Sequence, residues 1–387
     1  NPNAYVRDLP VGTQQKVEII KLLFREAEIL IMDEPSAVLT PQEVDELFKI
    51  MHILVDQGKS IIFITHKLRE VMECADRITV IRAGKVIGTT TPQEADIKKL
   101  ASMMVGREVE LKVNKKIAKP GNVILNVENL RVLNSQEQFA VNNVTFNVRE
   151  GEVLGIAGVQ GNGQTELVRA LTGLLTPTEG KIEILGKNTT KESPRFITEL
   201  GSAHIPEDRQ KDGLILAFPV SENLILNTYY QKPFAKAISM QFDKIAENGK
   251  NLVEKFDIRT PGIDTTVNTL SGGNQQKVIV AREFSRPIKL LIASQPTRGL
   301  DVGSIEYIHH RLMRKRDEGC AVLLVSTELD EIMQLSDRIA VMYRGQILDI
   351  LDAKDASKEM LGLLMAGIKP SDEMKSRARH EEDIILT

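Results

Sequence analysis

The chain carries the same segment twice, and this repeat constrains the fold more than any other feature. The segment LPVGTQQKV at residues 9–17 returns as LSGGNQQKV at residues 270–278. The same offset, 261 positions from residue 9 to residue 270, pairs Arg25 with Arg286 without an insertion. A register kept over roughly a hundred residues indicates a duplicated domain rather than a chance motif.

Both copies also repeat one order of elements. After each glutamine pair we expect a helix, an apolar strand, a second helix, a second apolar strand and a hairpin that turns at glycine. The strands are EILIMDEP and SIIFITH in the first copy, and KLLIASQP and AVLLVST in the second. Helices that alternate with wholly apolar strands predict an α/β fold with a mostly parallel sheet covered on both faces.

The repeat also sets the expected domain boundaries. A chain of 387 residues is long for a single core. We therefore expect the C-terminal part of a first domain, a lysine-rich linker with a Pro-Gly break, a second domain and a charged, solvated tail. These parts comprise residues 1–110, 111–122, 123–368 and 369–387 respectively.

Composition argues against several classes of function. Hydrophobic residues make up 42% and charged residues 27%, a mix typical of globular proteins. No apolar run approaches the roughly 18 residues of a membrane span, so we expect any membrane role to act through a partner. The net charge of −3 offers no basic field for nucleic acid. Cys74 and Cys320 lack the paired spacing of a zinc or redox site, and we interpret both as reduced.

A glycine-rich loop lies in the second copy only. The stretch GEVLGIAGVQGNGQTELVRALTGL, residues 151–174, predicts a strand, a loop and a helix, and the loop follows the phosphate-binding pattern G-x-x-x-x-G-K-[ST] with Gln164 at the lysine position. Glycines let backbone N–H groups approach phosphate at a helix N-terminus, and a glutamine keeps a hydrogen bond without the charge. The alternative is a glycine-rich turn without a ligand. The candidate binding residues are Gly158, Gly161, Asn162, Gly163, Gln164, Thr165 and Glu166.

These motifs together resemble a known family. LSGGNQQKV, followed by a strand, is similar to the signature of ABC transporter ATPases, and the Asp-Glu-Pro turn of the first copy resembles their Walker B motif. The tandem arrangement, IPEDRQKDGL at 205–214 and PTRGLDVG at 296–303 resemble the double-domain ATPases of bacterial simple-sugar and nucleoside importers. The resemblance covers residues 5–368. It implies two tandem P-loop ATPase domains, each with a parallel-sheet core and helical and antiparallel β subdomains.

In that family two ATPase domains face each other head to tail, so each ATP is held by the phosphate loop and acidic strand end of one domain and the signature of the other. The resemblance implies that Asp33 holds Mg²⁺ and that Glu34 polarises the attacking water. It also implies that His66 is the switch histidine that contacts the γ-phosphate. A histidine after a strand can instead be purely structural.

The second copy has lost the corresponding groups. The repeat places Ser294 at the position of Asp33, Gln295 at that of Glu34 and Thr327 at that of His66. Phosphoryl transfer depends on positioned charge, so we expect this copy's own site to be silent in hydrolysis. This copy keeps its glycine loop and Thr165, which would share in holding the metal. Nucleotide binding without hydrolysis is therefore compatible with its sequence.

The two signatures show the opposite pattern. The second copy keeps a hydroxyl and two glycines, whereas the first has Pro10, Val11 and Gly12, which make a poor phosphate clamp. The intact signature would face the intact acids, which gives one competent composite site and one degenerate site. The residues assigned to the intact clamp are Ser271, Gly272, Gly273, Asn274 and Gln275.

Two further positions admit two interpretations. Asp301 follows the acidic strand of the second copy and in the family crosses to the opposite site, whereas the first copy has Thr40 there. Ordinary capping of the next helix is the alternative for Asp301. Glu207, in HIPEDR, stands near the place where most ABC ATPases have a glutamine and would couple to a permease. Its alternative is a charged surface turn.

The resemblance implies the ATP-binding and ATP-hydrolysing subunit of an importer for simple sugars or nucleosides, with ATP and Mg²⁺ as cofactors. Its partners would be integral-membrane permease subunits and, through them, an extracytoplasmic binding protein, and it would act at the cytoplasmic face of the membrane. The repeat places the first copy's phosphate loop about a hundred residues before Asn1. We therefore expect an N-terminally truncated chain that is incomplete for catalysis.

Rival classes fit the residues less well. A tandem ABC protein acting on ribosomes would keep both sites intact and carry a long basic linker. An ABC repair protein would need paired cysteines. A regulatory nucleotide-binding module without turnover conflicts with Glu34 and His66, although it would describe a chain that lacks the first copy's phosphate loop.

Overall fold

The computed structural model describes residues 4–6, 11–24, 27–36, 39, 41–110 and 113–368. The predictions made for Pro10, Thr40 and the tail at 369–387 lie outside these residues. The chain divides into two compact units. Unit 1 contains residues 1–113, 159–161 and 301–306, and unit 2 contains residues 114–158, 162–300 and 307–387.

Unit 1 alternates helices and strands as the sequence predicts. Parallel strands β1 and β2 form one sheet, and antiparallel strands β3 and β4 form another. In chain order the elements are α1 (Val11–Phe24), β1 (Ile29–Asp33), α2 (Pro41–Asp56), β2 (Ser60–Ile64), α3 (Leu68–Cys74), β3 (Ile78–Arg82), β4 (Lys85–Thr90) and α4 (Ile97–Val105).

Helix α2 covers one face of the β1–β2 sheet. Its residues Leu47, Phe48 and Met51 recur at helical spacing and pack with Leu30 and Met32 of β1. This cluster is the core of the sheet.

The opposite face of this sheet is exposed, so the prediction of strands buried on both faces is wrong for unit 1. Ile29 and Ile31 are 63% and 62% exposed, and Ile62 and Ile64 are 51% and 48% exposed. Alternate side chains of a strand point to opposite faces, so these four share one face. Among the described residues of unit 1, the core cluster at this sheet lies on the other face, with α2.

Unit 2 contains a six-stranded sheet in the order β10-β13-β14-β7-β15-β16, parallel except for β16, and a four-stranded antiparallel sheet in the order β6-β5-β8-β9. The elements are β5 (Val123–Leu133), β6 (Phe139–Arg149), β7 (Val153–Ala157), α5 (Gln164–Leu171), β8 (Glu179–Ile184), β9 (Lys187–Asn188), α6 (Pro194–Glu199), β10 (Ser202–Ile205), α7 (Val220–Asn223), β11 (Ala235–Lys236), β12 (Ser239–Met240), α8 (Phe242–Lys255), α9 (Gly272–Phe284), β13 (Leu290–Ser294), α10 (Val302–Asp317), β14 (Ala321–Ser326), α11 (Leu329–Leu335), β15 (Arg338–Tyr343), β16 (Gln346–Asp352) and α12 (Lys358–Met365).

The core of unit 2 joins its two larger sheets and helix α5. Strands β7, β13 and β14 are buried at every residue, as expected of central strands in a parallel sheet covered on both faces. The cluster includes Leu125, Val127, Val144, Leu154, Ile156, Leu167, Ile182, Ile292 and Leu323. The predicted covered parallel sheet is therefore confirmed in this unit.

The repeat in sequence is also a repeat in structure. Strand β13 starts at Leu290 and β1 at Ile29, the same offset that relates the two QQKV segments, and the paired helices and strands agree within about a residue. One difference concerns β7, which lies between β14 and β15 in unit 2. In the described part of unit 1, β2 and β3 belong to separate two-stranded sheets. Within the described residues, no helix combines the length and apolar character needed to span a bilayer.

Candidate functional site

The acidic residues of the first copy lie where β1 ends. Glu34 follows the strand with φ of 46°, and its N–H donates to the carbonyl of Ile64 at 2.8 Å. Because β1 and β2 are parallel, their carboxyl ends meet at one edge of the sheet and bring His66 close. His66 Nδ1 lies 2.7 Å from Glu34 Oε1. Asp33 ends the strand with an exposed side chain. The structure therefore brings together the two residues predicted to be catalytic.

The contact between Glu34 and His66 fixes the roles of their atoms. An ionised carboxylate only accepts, so the His66 Nδ1–H donates to Glu34. The hydrogen bond from His66 lowers the pKa of Glu34, and burial opposes this effect. The Glu34 side chain is 40% exposed, so the pair is open to solvent. This arrangement gives a carboxylate and an imidazole nitrogen that can both hold a water molecule.

The second copy reproduces this backbone without the charges. Gln295 has φ of 48°, and its N–H donates to the carbonyl of Val325 at 2.7 Å, as Glu34 does with Ile64. Thr327 Oγ1 donates to Gln295 Oε1 at 3.3 Å in place of the His66–Glu34 contact. Ser294 is buried at the position of Asp33. The two strand ends thus share a geometry and differ in charge.

The glycine loop of the second copy connects β7 to α5 as predicted. Gly163 is the N-terminal cap of α5 with φ of 100°, and a Cβ there would collide with the carbonyl oxygen of Ala140. Gly161 has φ of 91° with open space around it. Both positions require the left-handed backbone that favours glycine. The Asn162 side chain accepts from the backbone N–H of Arg344 at 3.0 Å, so this residue braces the loop.

Gln164 points into the loop. Its side chain is buried, and its Nε2 has no hydrogen-bond partner among the described residues. That atom lies 2.5 Å from the place where a Cβ of Gly158 would sit, so it faces the glycine backbone. Buried donors are normally paired, and an orphan donor beside backbone N–H groups at a helix N-terminus suits an anionic oxygen. The residues present therefore fit a phosphate group.

The hydroxyl of Thr165, next to Gln164, belongs to a hydrogen-bond network that the sequence did not reveal. Thr165 Oγ1 donates to Glu207 Oε2 at 3.1 Å, and Arg298 donates to Glu207 Oε1 at 2.9 Å. Arg209 in turn donates to the carbonyl of Arg298 at 2.8 Å, and its guanidinium lies where a Cβ of Gly272 would be. Glu207 thus connects the phosphate loop with the loop after β13, rather than standing as a free surface turn.

The signature opens helix α9. Ser271 is its N-terminal cap residue, and Asn274 Nδ2 donates to Ser271 Oγ at 2.9 Å. Gln275 is 2% exposed, and its amide bonds to the carbonyl of Val267 and to Gln210. The Gln275 side chain therefore supports the helix from within, and the groups open to a ligand belong to the first residues of the helix.

Asp301 caps the following helix. Its carboxylate accepts from the backbone N–H of Ser304 at 3.0 Å and from the Ser304 hydroxyl at 2.8 Å. This is the capping interaction considered above for this residue. Among the described residues, no cluster of three or more His, Cys, Asp or Glu side chains is arranged as a metal site.

A parallel sheet, a glycine loop opening a buried helix and a separate capped signature helix define a P-loop ATPase cassette. The structure is similar to a nucleotide-free ATP-binding cassette from an ABC transporter, with a TM-score of 0.53 over 63% of this chain and 95% of that chain at 24% identity. It is also similar to the dimeric bacterial ABC transporter cassette MJ0796, with a TM-score of 0.52 over 59% and 99% of the two chains at 23% identity. These likenesses show the fold.

Sequence comparison identifies the family. The ABC transporter family model matches residues 141–298. The nucleoside import ATP-binding protein NupA of Lactococcus lactis subsp. cremoris is 51% identical over 366 residues, which cover 95% of this chain and 72% of the relative. The guanosine import ATP-binding protein NupO of Bacillus subtilis is 49% identical over 367 residues, with the same coverage. The ribose import ATP-binding protein RbsA of Chromobacterium violaceum is 37% identical over 378 residues, 98% and 74% of the two chains.

The chain therefore belongs to the ABC transporter ATPases, among the ATP-binding proteins of importers. The family predicted from the motifs is confirmed. The rival assignments to ribosome-associated and repair ABC proteins find no support among these relatives.

Proposed function

We propose that this chain powers the import of a nucleoside or a ribose-type sugar and divides its work unequally between its two copies. The observation that carries the proposal is the matched pair of strand ends. Glu34 and Gln295 share their backbone conformation and backbone hydrogen bond, yet only the first copy has a carboxylate bonded to an imidazole. Charge rather than geometry separates the two copies.

The first copy supplies the groups for hydrolysis. Asp33 would take part in holding Mg²⁺, which neutralises charge on the phosphates when Mg-ATP is bound. Glu34 accepts a proton from the attacking water or orients it, and its low pKa keeps the carboxylate ionised for this role. The His66 ring is oriented by Glu34 through Nδ1, and we propose that its Nε2 contacts the γ-phosphate when ATP is bound.

The second copy would bind nucleotide without turning it over. Its glycine loop and the unpaired Nε2 of Gln164 would receive phosphate oxygens, and Thr165 would share in holding Mg²⁺. Ser294, Gln295 and Thr327 cannot take up a proton from water at neutral pH. Nucleotide at this position would stabilise the assembly without being consumed.

The signature of the second copy completes the competent site. Ser271 and the first N–H groups of α9, from Gly272 and Gly273, form a helix N-terminus that attracts the γ-phosphate. Asn274 and Gln275 hold this end in place through internal hydrogen bonds. The first copy has Pro10 and Val11 where the second has serine and glycine, so its signature is the poorer clamp.

The partners of such a subunit are permease subunits in the membrane and, through them, a substrate-binding protein. We propose that the chain acts at the cytoplasmic face of the membrane. The relatives named for nucleoside and guanosine import, at 51% and 49% identity, resemble this chain more than the relative named for ribose import, at 37%. A relative named for glucose import is 44% identical. We therefore propose a nucleoside as the transported substrate, with a simple sugar as the second choice.

Transport-coupled hydrolysis in the assembled transporter tests both parts of the proposal. Glu34→Gln should reduce ATP turnover by about 10²–10⁴-fold, the usual contribution of a general base. The matched substitution Gln295→Ala should leave turnover within about twofold. Equal losses for the two variants would disprove the division of work. Stimulation of turnover by ribose and not by nucleosides would disprove the substrate assignment alone.

A further inference from the structure

A buried carboxylate in unit 1 ties together the two loops that carry Glu34 and His66. Glu70, in the first turn of α3, is 8% exposed. Ser36 Oγ donates to Glu70 Oε2 at 2.7 Å, and Thr65 Oγ1 donates to the same oxygen at 3.4 Å. Ser36 lies two residues after Glu34, and Thr65 directly precedes His66. One carboxylate therefore connects both ends of the Glu34–His66 contact.

The same clamp recurs in unit 2. Glu331, on α11, is 5% exposed and accepts from Thr297 Oγ1 at 2.7 Å. The hydroxyl of Ser326 also donates to Glu331. The internal repeat pairs these three residues one for one with the glutamate and the two hydroxyl residues of unit 1. A carboxylate with two hydroxyl donors has thus been kept twice, although the catalytic groups beside it differ between the copies.

The two clamps have different basic side chains beside the carboxylate. In unit 2, His309 Nε2 lies 2.9 Å from Glu331. Burial raises the pKa of Glu331, and the hydrogen bonds from His309 and the hydroxyls lower it further than burial raises it. In unit 1 the place of His309 is taken by Phe48, and Lys67 Nζ lies 3.8 Å from Glu70. The neighbouring basic side chain differs between the copies, so the shared feature is the carboxylate with its two hydroxyls.

Burying a carboxylate between two loops carries a desolvation penalty of several kcal/mol. Apolar packing would join them as strongly without fixing hydrogen-bond directions. We infer that Glu70 is a positioning residue that holds the Glu34–His66 pair at its hydrogen-bonding distance through Ser36 and Thr65. The inference rests on the role proposed above for that pair.

Nitrogen-15 NMR of the histidine rings in this chain tests the inference without hydrolysis. In its neutral form, wild-type His66 should be the single tautomer with hydrogen on Nδ1, and Glu34→Ala should define the spectrum of the ring without its acceptor. Glu70→Met, which keeps the length and removes both acceptor oxygens, should shift His66 to a mixture of tautomers. The matched control Glu331→Met should leave the His66 signals of the wild type, although it removes an equally buried carboxylate.

The outcomes separate the inference from the function on which it rests. If Glu34→Ala changes His66 and Glu70→Met does not, Glu70 has only a structural role and the inference is wrong. If Glu34→Ala itself leaves His66 unchanged, the pair does not exist in solution and the proposed function fails with it. Should Glu70→Met not fold, Thr65→Val and Thr65→Ser decide the matter. Valine should give the mixed tautomers, and serine, which keeps the hydroxyl, should give the wild-type spectrum.

Discussion

Replacing Gln164 with methionine should stabilise the protein without nucleotide and weaken the binding of nucleotide. The buried Nε2 of Gln164 lacks a partner among the described residues, and an unpaired buried polar group costs about 1–3 kcal/mol. Methionine has a similar length and no donor, so it removes this cost and keeps the packing. At about 1 kcal/mol, a unit of roughly 250 residues should gain ~2–4 °C in melting temperature.

The same substitution should have the opposite effect on the complex. A hydrogen bond from an amide to a charged phosphate oxygen is worth about 1.5–3 kcal/mol, so nucleotide affinity should fall by about tenfold or more. Gln164→Lys should lower the stability without nucleotide, since an unpaired buried ammonium destabilises the empty loop. It should raise the nucleotide affinity, since the ammonium then pairs with phosphate.

Thermal unfolding and titration with a fluorescent ATP analogue measure the two effects on the same samples. A Gln164→Met protein that melts lower than the wild type and binds the analogue equally well would refute the reasoning. That result would mean that the amide is already paired in the empty loop and contributes nothing to a phosphate site.

Two further predictions concern the backbone of the loop and the response to acid. Gly163→Ala should abolish nucleotide binding and lower the melting temperature strongly, because its Cβ would strike the carbonyl oxygen of Ala140. Gly161→Ala meets open space, so it should lower the stability only by the roughly 1–2 kcal/mol of its left-handed backbone. Equal melting temperatures for the two variants would contradict this prediction. Burial lowers the pKa of His204 to about 4, below the 6.5 of the unfolded chain. The unfolded state therefore binds more protons below pH 6.5, and the unfolding free energy should fall between pH 6.5 and 4 by at most about 1.4 kcal/mol per pH unit. Urea unfolding of His204→Gln should show a shallower slope than the wild type, and an unchanged slope would contradict the assignment.

Much of the fold follows from the repeat and the apolar pattern. The strands ending at Asp33 and Ser294 and the hairpins turning at Gly84 and Gly345 lie where the sequence predicts them. The spacing of apolar residues and the length of each segment suffice to predict such elements, because burial of apolar side chains dominates their stability. The exposed face of the β1–β2 sheet was not predictable, because the same isoleucines are compatible with a strand buried on one side or on both.

The site was predictable at the level of residue types and less so at the level of contacts. The Glu34–His66 pair follows from the parallel strand ends. The role of Glu207 depends on Arg298, which is far away in sequence, and no local pattern indicates that contact. Glu70 was overlooked although a signal existed, because the repeat aligns it with Glu331 together with both hydroxyl partners.

The central claim, that one nucleotide is hydrolysed and one is retained, can be measured directly. The assembled transporter would be loaded with radiolabelled Mg-ATP, freed of unbound nucleotide, allowed one round of hydrolysis and analysed for bound ATP and ADP. We predict ATP and ADP in equal amounts, and ATP alone in Glu34→Gln, since Glu34 belongs to the copy with the charged strand end. Conversion of both bound nucleotides to ADP would contradict the account, because the strand end with Ser294 and Gln295 would then also support turnover.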